Sequence, residues 1–70
     1  MKEVIEGWIA RDKDDFLACY EKEPERGEKE WLVNYEESFF ALRKARFPEQ
    51  KWEDEPRKVL ITIETIELDA

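Results

Sequence analysis

Histidine is absent from this chain, glycine occurs twice and cysteine once. Each scarcity removes a class of chemistry. Without histidine the commonest general base, metal ligand and nucleophile activator is missing. Gly7 and Gly27 are too few and too far apart for a phosphate-cradling loop. Cys19 stands alone, so no intrachain disulfide can form and the core must hold without staples, which fits a reducing cytosol. No apolar run approaches the roughly 18 residues that a membrane span needs. No basic n-region with an apolar h-region opens the chain. The expectation is a cytoplasmic protein with neither signal peptide nor membrane contact.

What is present is charge and aromatic bulk. Charged residues make up 44% of the 70 positions, so the surface must be saturated with them. The net charge is −7, and acids outnumber bases in both halves of the chain, with no acidic tail. No basic patch is large enough to follow a phosphate backbone, so direct nucleic-acid binding is not expected. A basic partner, or mimicry of nucleic-acid charge, remains compatible with this balance. Three Trp, two Tyr and four Phe supply enough apolar area for one small core. At this length a single domain, residues 1–70, sits near the lower limit for independent folding.

Val4 to Tyr20 reads as a β-hairpin. "VIEGWIA" is rich in β-branched and aromatic residues and "FLACY" is a second short apolar run. Between them, "RDKDDF" places three carboxylates in four positions. Asp12, Asp14 and Glu23 occupy positions 1, 3 and 12 of a calcium-loop register. Position 5 is then Phe16, which has no side-chain oxygen, and position 6 is Leu17 where the loop needs glycine. A turn explains more residues: Asp12 to Asp15 as a type I turn followed by a left-handed residue, with Asp15 at φ > 0. No metal site and no cofactor are expected.

This turn sets a register: Trp8 faces Tyr20, Ala10 faces Ala18, Ile9 faces Cys19 and Arg11 faces Leu17, with Glu6 facing Lys22 further out. Ile5, Ile9, Leu17 and Cys19 form the aliphatic core face. Trp8 and Tyr20 then pair on the less buried face and make the candidate interaction surface, since exposed Trp and Tyr are enriched at protein interfaces. The competing reading is that Trp52 or the charged loops fold over them.

Beyond the hairpin, "EKEPERGEKE" carries eight charges and no apolar residue, which predicts a solvated loop. Trp31-Leu32-Val33 predicts a third strand. Asn34 as N-cap, Glu37 three positions on, and Tyr35, Phe39 and Leu42 at helical spacing predict a helix ending by Arg46, before Phe47-Pro48. Arg43, Lys44 and Arg46 would then face the negative end of its dipole. Pro48 to Pro56 predicts a charged connection anchored by Trp52. Lys58 to Leu68 is the strongest strand signal, long and apolar enough to be central, with a bulge or change of buried face near Glu64-Thr65. The fold class expected is α+β, a small antiparallel sheet of three to four strands in β-β-β-α-β order with one helix on one face.

Nothing here assembles catalytic machinery. Cys19 lies mid-strand on the core face, where a thiol away from cations is inert. Glu53-Asp54-Glu55 is one acidic group among many in a chain with 19 acids, and reads as a solvated loop. With "GWIARDKDDFLACYEKEPER" and "FPEQKWEDEPRKVLITI" both in view, the chain resembles a group of small uncharacterised proteins of gut Bacteroidetes and their phages or prophages. These share a W-I-A-R-D-x-D-G hairpin, a K-P-x-R segment and an F-P-x-x-x-W-x-D-x-P-x-x-V ending. Trp8 to Asp12, Asp14, Pro24, Arg26, Phe47, Pro48, Trp52, Asp54, Pro56 and Val59 carry the match, and Asp15 replaces a glycine. The resemblance implies no activity. The expectation is a non-catalytic protein-interaction or accessory protein of mobile-element origin, with an unknown protein partner. The alternatives are an acidic inhibitor that mimics nucleic acid and a self-associating structural module such as a homodimer.

Overall fold

A computed structural model describes residues 1–34 and 38–66. All regular elements among them are strands: β1 (Lys2–Arg11), β2 (Leu17–Tyr20), β3 (Glu25–Arg26), β4 (Trp31–Leu32), β5 (Phe39–Leu42) and β6 (Arg57–Glu64). Four form an antiparallel sheet in the order β5-β2-β1-β6, and β3 pairs with β4 in a separate small hairpin.

The first hairpin follows its sequence closely. Trp8 pairs with Tyr20, Ile9 with Cys19, Ala10 with Ala18 and Arg11 with Leu17. The Asp15 amide donates to the Asp12 carbonyl at 3.0 Å, and Asp15 adopts φ 81°. That is a type I turn followed by a left-handed residue, a conformation Asp tolerates better than most side chains. The paired strand ends at Tyr20, so the expected Glu6–Lys22 pair does not form.

The expected α+β class is overturned, because the helix is replaced by strand. Phe39–Leu42 is β5 and pairs with β2 along its length. Every residue of β2 is buried. Its outer edge needs a partner for its backbone polar groups, and the aromatic "FFAL" run suits a strand. A short apolar run supports either period, and pairing decides between them. The expected capping residue Glu37 and the face residue Tyr35 lie outside the described residues. Arg43, Lys44 and Arg46 therefore do not serve a helix dipole; they lie in a chain of tight turns, where the Arg46 amide donates to Arg43 O at 3.0 Å and the Gln50 amide to Phe47 O at 2.9 Å.

Two further corrections concern strands. β6 lies beside β1, at the sheet edge rather than at the expected centre. It stops at Glu64, and the Thr65 amide donates to Met1 O at 2.8 Å. Leu68, part of the expected strand, lies outside the described residues. The "EKEPERGEKE" loop contains β3, and with β4 it folds over the main sheet as a second layer.

Each face of the sheet is covered differently. On one, Ala10 and Ala18 are fully buried and present only methyl groups, leaving a shallow floor for the Trp31 indole. Tyr20 and Trp31 complete this cluster, with Phe16, Val33 and Trp52 packed at its border. The opposite face buries Ile9, Leu17 and Cys19. Burying an aliphatic side chain of this size contributes about 1.5–3 kcal/mol. Gly7 sits on the second face, where a β-carbon would come within 2.6 Å of Ile61 Cδ1 and 2.9 Å of the Tyr20 carbonyl oxygen. The strand therefore needs glycine there.

Candidate functional site

The three turn carboxylates diverge. Asp12 Oδ1 accepts the Trp31 amide at 2.9 Å, Asp14 Oδ1 accepts the Phe16 amide at 3.1 Å, and Asp15 Oδ1 pairs with Arg11 at 3.1 Å. Two accept backbone amides and the third pairs with a guanidinium, so each is engaged by a different partner. Among the described residues no group of three or more acidic or cysteine side chains converges as a ligand set. Burial raises the Asp12 pKa above its usual value, aided by Asp14 and Glu30, while the Trp31 amide opposes the rise.

Two arginines hold the turns of residues 44–54 against the hairpin layers. Arg11 belongs to the aliphatic face, where a charge must be paired to be tolerated. Its Nε donates to Gln50 O at 2.6 Å, Nη1 to Lys44 O at 3.1 Å and Asp15 O at 3.1 Å, and Nη2 to Arg46 O at 2.9 Å and Phe47 O at 3.2 Å. One planar fork thus satisfies carbonyls from two successive turns, 43–46 and 47–50, and from the hairpin turn, including that of Phe47, which is left-handed at φ 48°. Gln50 is itself buried, and its side-chain amide donates to Glu55 O at 2.9 Å.

Arg26 of β3 does the same from the other layer. Its guanidinium lies 4.4 Å from the Trp31 ring centroid and 4.7 Å from that of Trp52, and donates to Trp52 O at 2.7 Å and Asp54 O at 3.1 Å. The two indoles meet edge-on at 5.9 Å. The main chain completes the join, with Trp31 Nε1 donating to Arg11 O and the Lys13 amide to Lys29 O, each at 2.9 Å. Arg11, Asp12, Arg26, Phe47, Trp52 and Asp54, all quoted above for the resemblance, meet in this one junction. Its role is architectural: the guanidinium of Arg11 is occupied by carbonyls and by Asp15. An open cleft of about 470 Å³ beside it is lined by Lys13, Lys44 and Lys51 and by Asp12, Asp15 and Glu53, a mixed-sign surface.

The candidate pair Trp8 and Tyr20 is placed side by side, as the register required. Tyr20, however, is buried at 3% exposure, between the second layer and Phe39 at a ring separation of 5.6 Å. The folded-over loops cover it, and Trp8 is left half-buried with the Lys58 ammonium 5.7 Å from its ring. Burial, with the nearby Asp12 and Glu30 carboxylates, pushes the Tyr20 hydroxyl pKa up to about 12. Burial also raises the Cys19 thiol, which keeps it protonated and unreactive at neutral pH.

Accessible apolar surface lies instead at both edges of the sheet, with Phe39 51% and Phe40 47% exposed on β5 and the larger exposures around β6. Leu60 is 71% exposed, Ile63 53% and Val4 of the adjoining strand 53%. Among the described residues β6 pairs only with β1, so its outer edge offers a row of unpaired backbone donors and acceptors. Natural edges are usually blunted by charge, proline or bulges. β6 carries Arg57 and Lys58 at its start and Glu64 at its end, but "VLITI" between them is unguarded. Sequence reasoning found this strand and misjudged its position in the sheet.

No helix among the described residues is long and apolar enough to cross a membrane. No protein-family model matches the chain, and no curated protein or solved structure matches it either.

Proposed function

We propose that this chain is a non-catalytic protein-interaction module of the cytoplasm whose docking element is the open edge of β6. The observation that carries this reading is an eight-residue edge strand with an uncharged centre, flanked by exposed Leu60, Ile63 and Val4. An extended partner added to such an edge gains main-chain hydrogen bonds for affinity and alternate side chains for specificity. The Arg11 and Arg26 junction supports the reading from the other side, because it secures the body of the molecule without using β6. The resemblance to small phage and prophage proteins supports an accessory role of mobile-element origin.

The test uses a purified binder, captured on the chain and identified. Leu60→Lys places a charge on a side chain that already faces solvent, so the fold is retained. Binding should weaken by about tenfold or more if the β6 edge is the docking element. Equal affinity for the two forms would contradict the proposal.

A further inference from the structure

The β6 edge is self-complementary in one register. We infer that its partner is a second copy of this chain, paired antiparallel through β6 about a two-fold axis at Ile61. The inference rests on the reading of β6 as the docking edge and adds the identity of the occupant.

The argument is geometric. A two-fold axis normal to the sheet keeps each face on its own side, so facing residues must share parity along the strand. Centring on Ile61 places Lys58 beside Glu64 of the second copy, and by symmetry Glu64 beside its Lys58. The register of β1 on β6 extends this row: Trp8 lies beside Lys58, and Lys2 beside Glu64. Charges along the row therefore alternate from Lys58 through Glu64 of the second copy to its Lys2. Lys58 already contacts Glu6 Oε2 at 3.2 Å, so it lies between two carboxylates.

On the other face, Ile5 pairs with Ile61 within one chain. The two-fold then makes a row of four isoleucines across the joined sheets, with Val59 beside Ile63 of the second copy. Neighbouring same-parity registers lack this match. Centring on Leu60 sets Arg57 beside Ile63, and centring on Thr62 sets Leu60 beside Glu64. Opposite charges facing across strands stabilise the pairing and like charges oppose it, and the Ile61-centred register alone of these three makes the opposite-charge pair. Pairing β6 with β5 of another copy would be head-to-tail and need not close; the two-fold closes at two chains.

The experiment is sedimentation equilibrium up to millimolar concentration, on wild type, Lys58→Glu, Glu64→Lys and the double variant. Both altered positions, 58 and 64, are exposed, and circular dichroism with urea titration verifies that each variant is folded. Wild type should approach twice 8.5 kDa. Each single reversal should weaken the dimer by about tenfold, since it introduces two like-charge contacts by symmetry, and the double variant should return to within about threefold of wild type. A wild type that stays at 8.5 kDa, or that forms open-ended oligomers, overturns the second copy while leaving docking of another protein on β6 intact. A dimer in which the double variant is no tighter than the singles overturns the register. A dimer unaffected by Leu60→Lys overturns both this inference and the reading on which it rests.

Discussion

Arg11 Nε donates to the main-chain oxygen of Gln50 at 2.6 Å, across 39 positions of sequence. This contact and the four carbonyls that share the same guanidinium fix where residues 44–50 lie. Removing Arg11 leaves several of those oxygens unsatisfied, and an unpaired buried polar group costs about 1–3 kcal/mol. Arg11→Ala should lower stability by at least about 3 kcal/mol, a large share of the margin for a domain of this size. Arg11→Lys should recover less than half of the loss, because an ammonium cannot reproduce the fork. Urea titration of the three proteins reads both values; equal stability of Lys and Arg forms would contradict the geometry.

Asp12 is held for its acceptor oxygen rather than for its charge. Asn keeps an oxygen for the Trp31 amide, so at pH 7 Asp12→Asn should match or exceed wild type, while Asp12→Ala should lose about 1–3 kcal/mol. The sign with pH follows from the raised pKa. The fold prefers the protonated acid, so the Asp12 contribution is fully present below its unfolded value of 3.8 and is lost as pH rises through the folded pKa. The gap between wild type and Asp12→Asn should therefore close in acid. A wild type more stable than the Asn form at neutral pH by over about 1 kcal/mol would contradict it.

Tyr20 predicts an alkaline limit. Its folded pKa of about 12 exceeds the ordinary 10, so the unfolded chain loses this proton first. Stability from Tyr20 is intact below pH 10 and falls as pH rises toward 12. Tyr20→Phe should flatten that fall in urea titrations between these limits, and an unchanged slope would show that the hydroxyl is not buried as described.

Gly7 is required by space. An added β-carbon would press on the Tyr20 carbonyl oxygen and on Ile61 Cδ1. The side chain can shift and the backbone oxygen cannot easily do so, so Gly7→Ala should cost about 1–3 kcal/mol by overpacking. A stabilised alanine variant, as expected for an unhindered strand position, would mean that β1 and β2 are spaced more widely here.

Legibility in the sequence tracked the range of the forces. The hairpin's register from Arg11–Leu17 to Trp8–Tyr20 was readable because its turn chemistry is local: Asp12 to Asp15 specify both the turn and the register. The strand at Phe39–Leu42 was not, since helical spacing of three apolar residues is weak against a neighbouring strand with an open edge. The covering of Tyr20 was open in the sequence only as the competing reading, without its contacts. It depends on Trp31 reaching Asp12 and Arg11 from 19 and 20 positions away. One signal for the junction was present: the register put Arg11 on the aliphatic face, and a guanidinium there must have partners.

The most direct test of β6 as an interaction edge is amide hydrogen exchange across residues 57–64 at low micromolar and millimolar concentration. In dilute solution the alternate amides that point away from β1 should exchange rapidly. At high concentration the same amides should slow by about tenfold or more as they pair with a second copy. Rapid exchange at both concentrations would contradict pairing through β6, and slow exchange at both would mean that the edge is already covered within one chain.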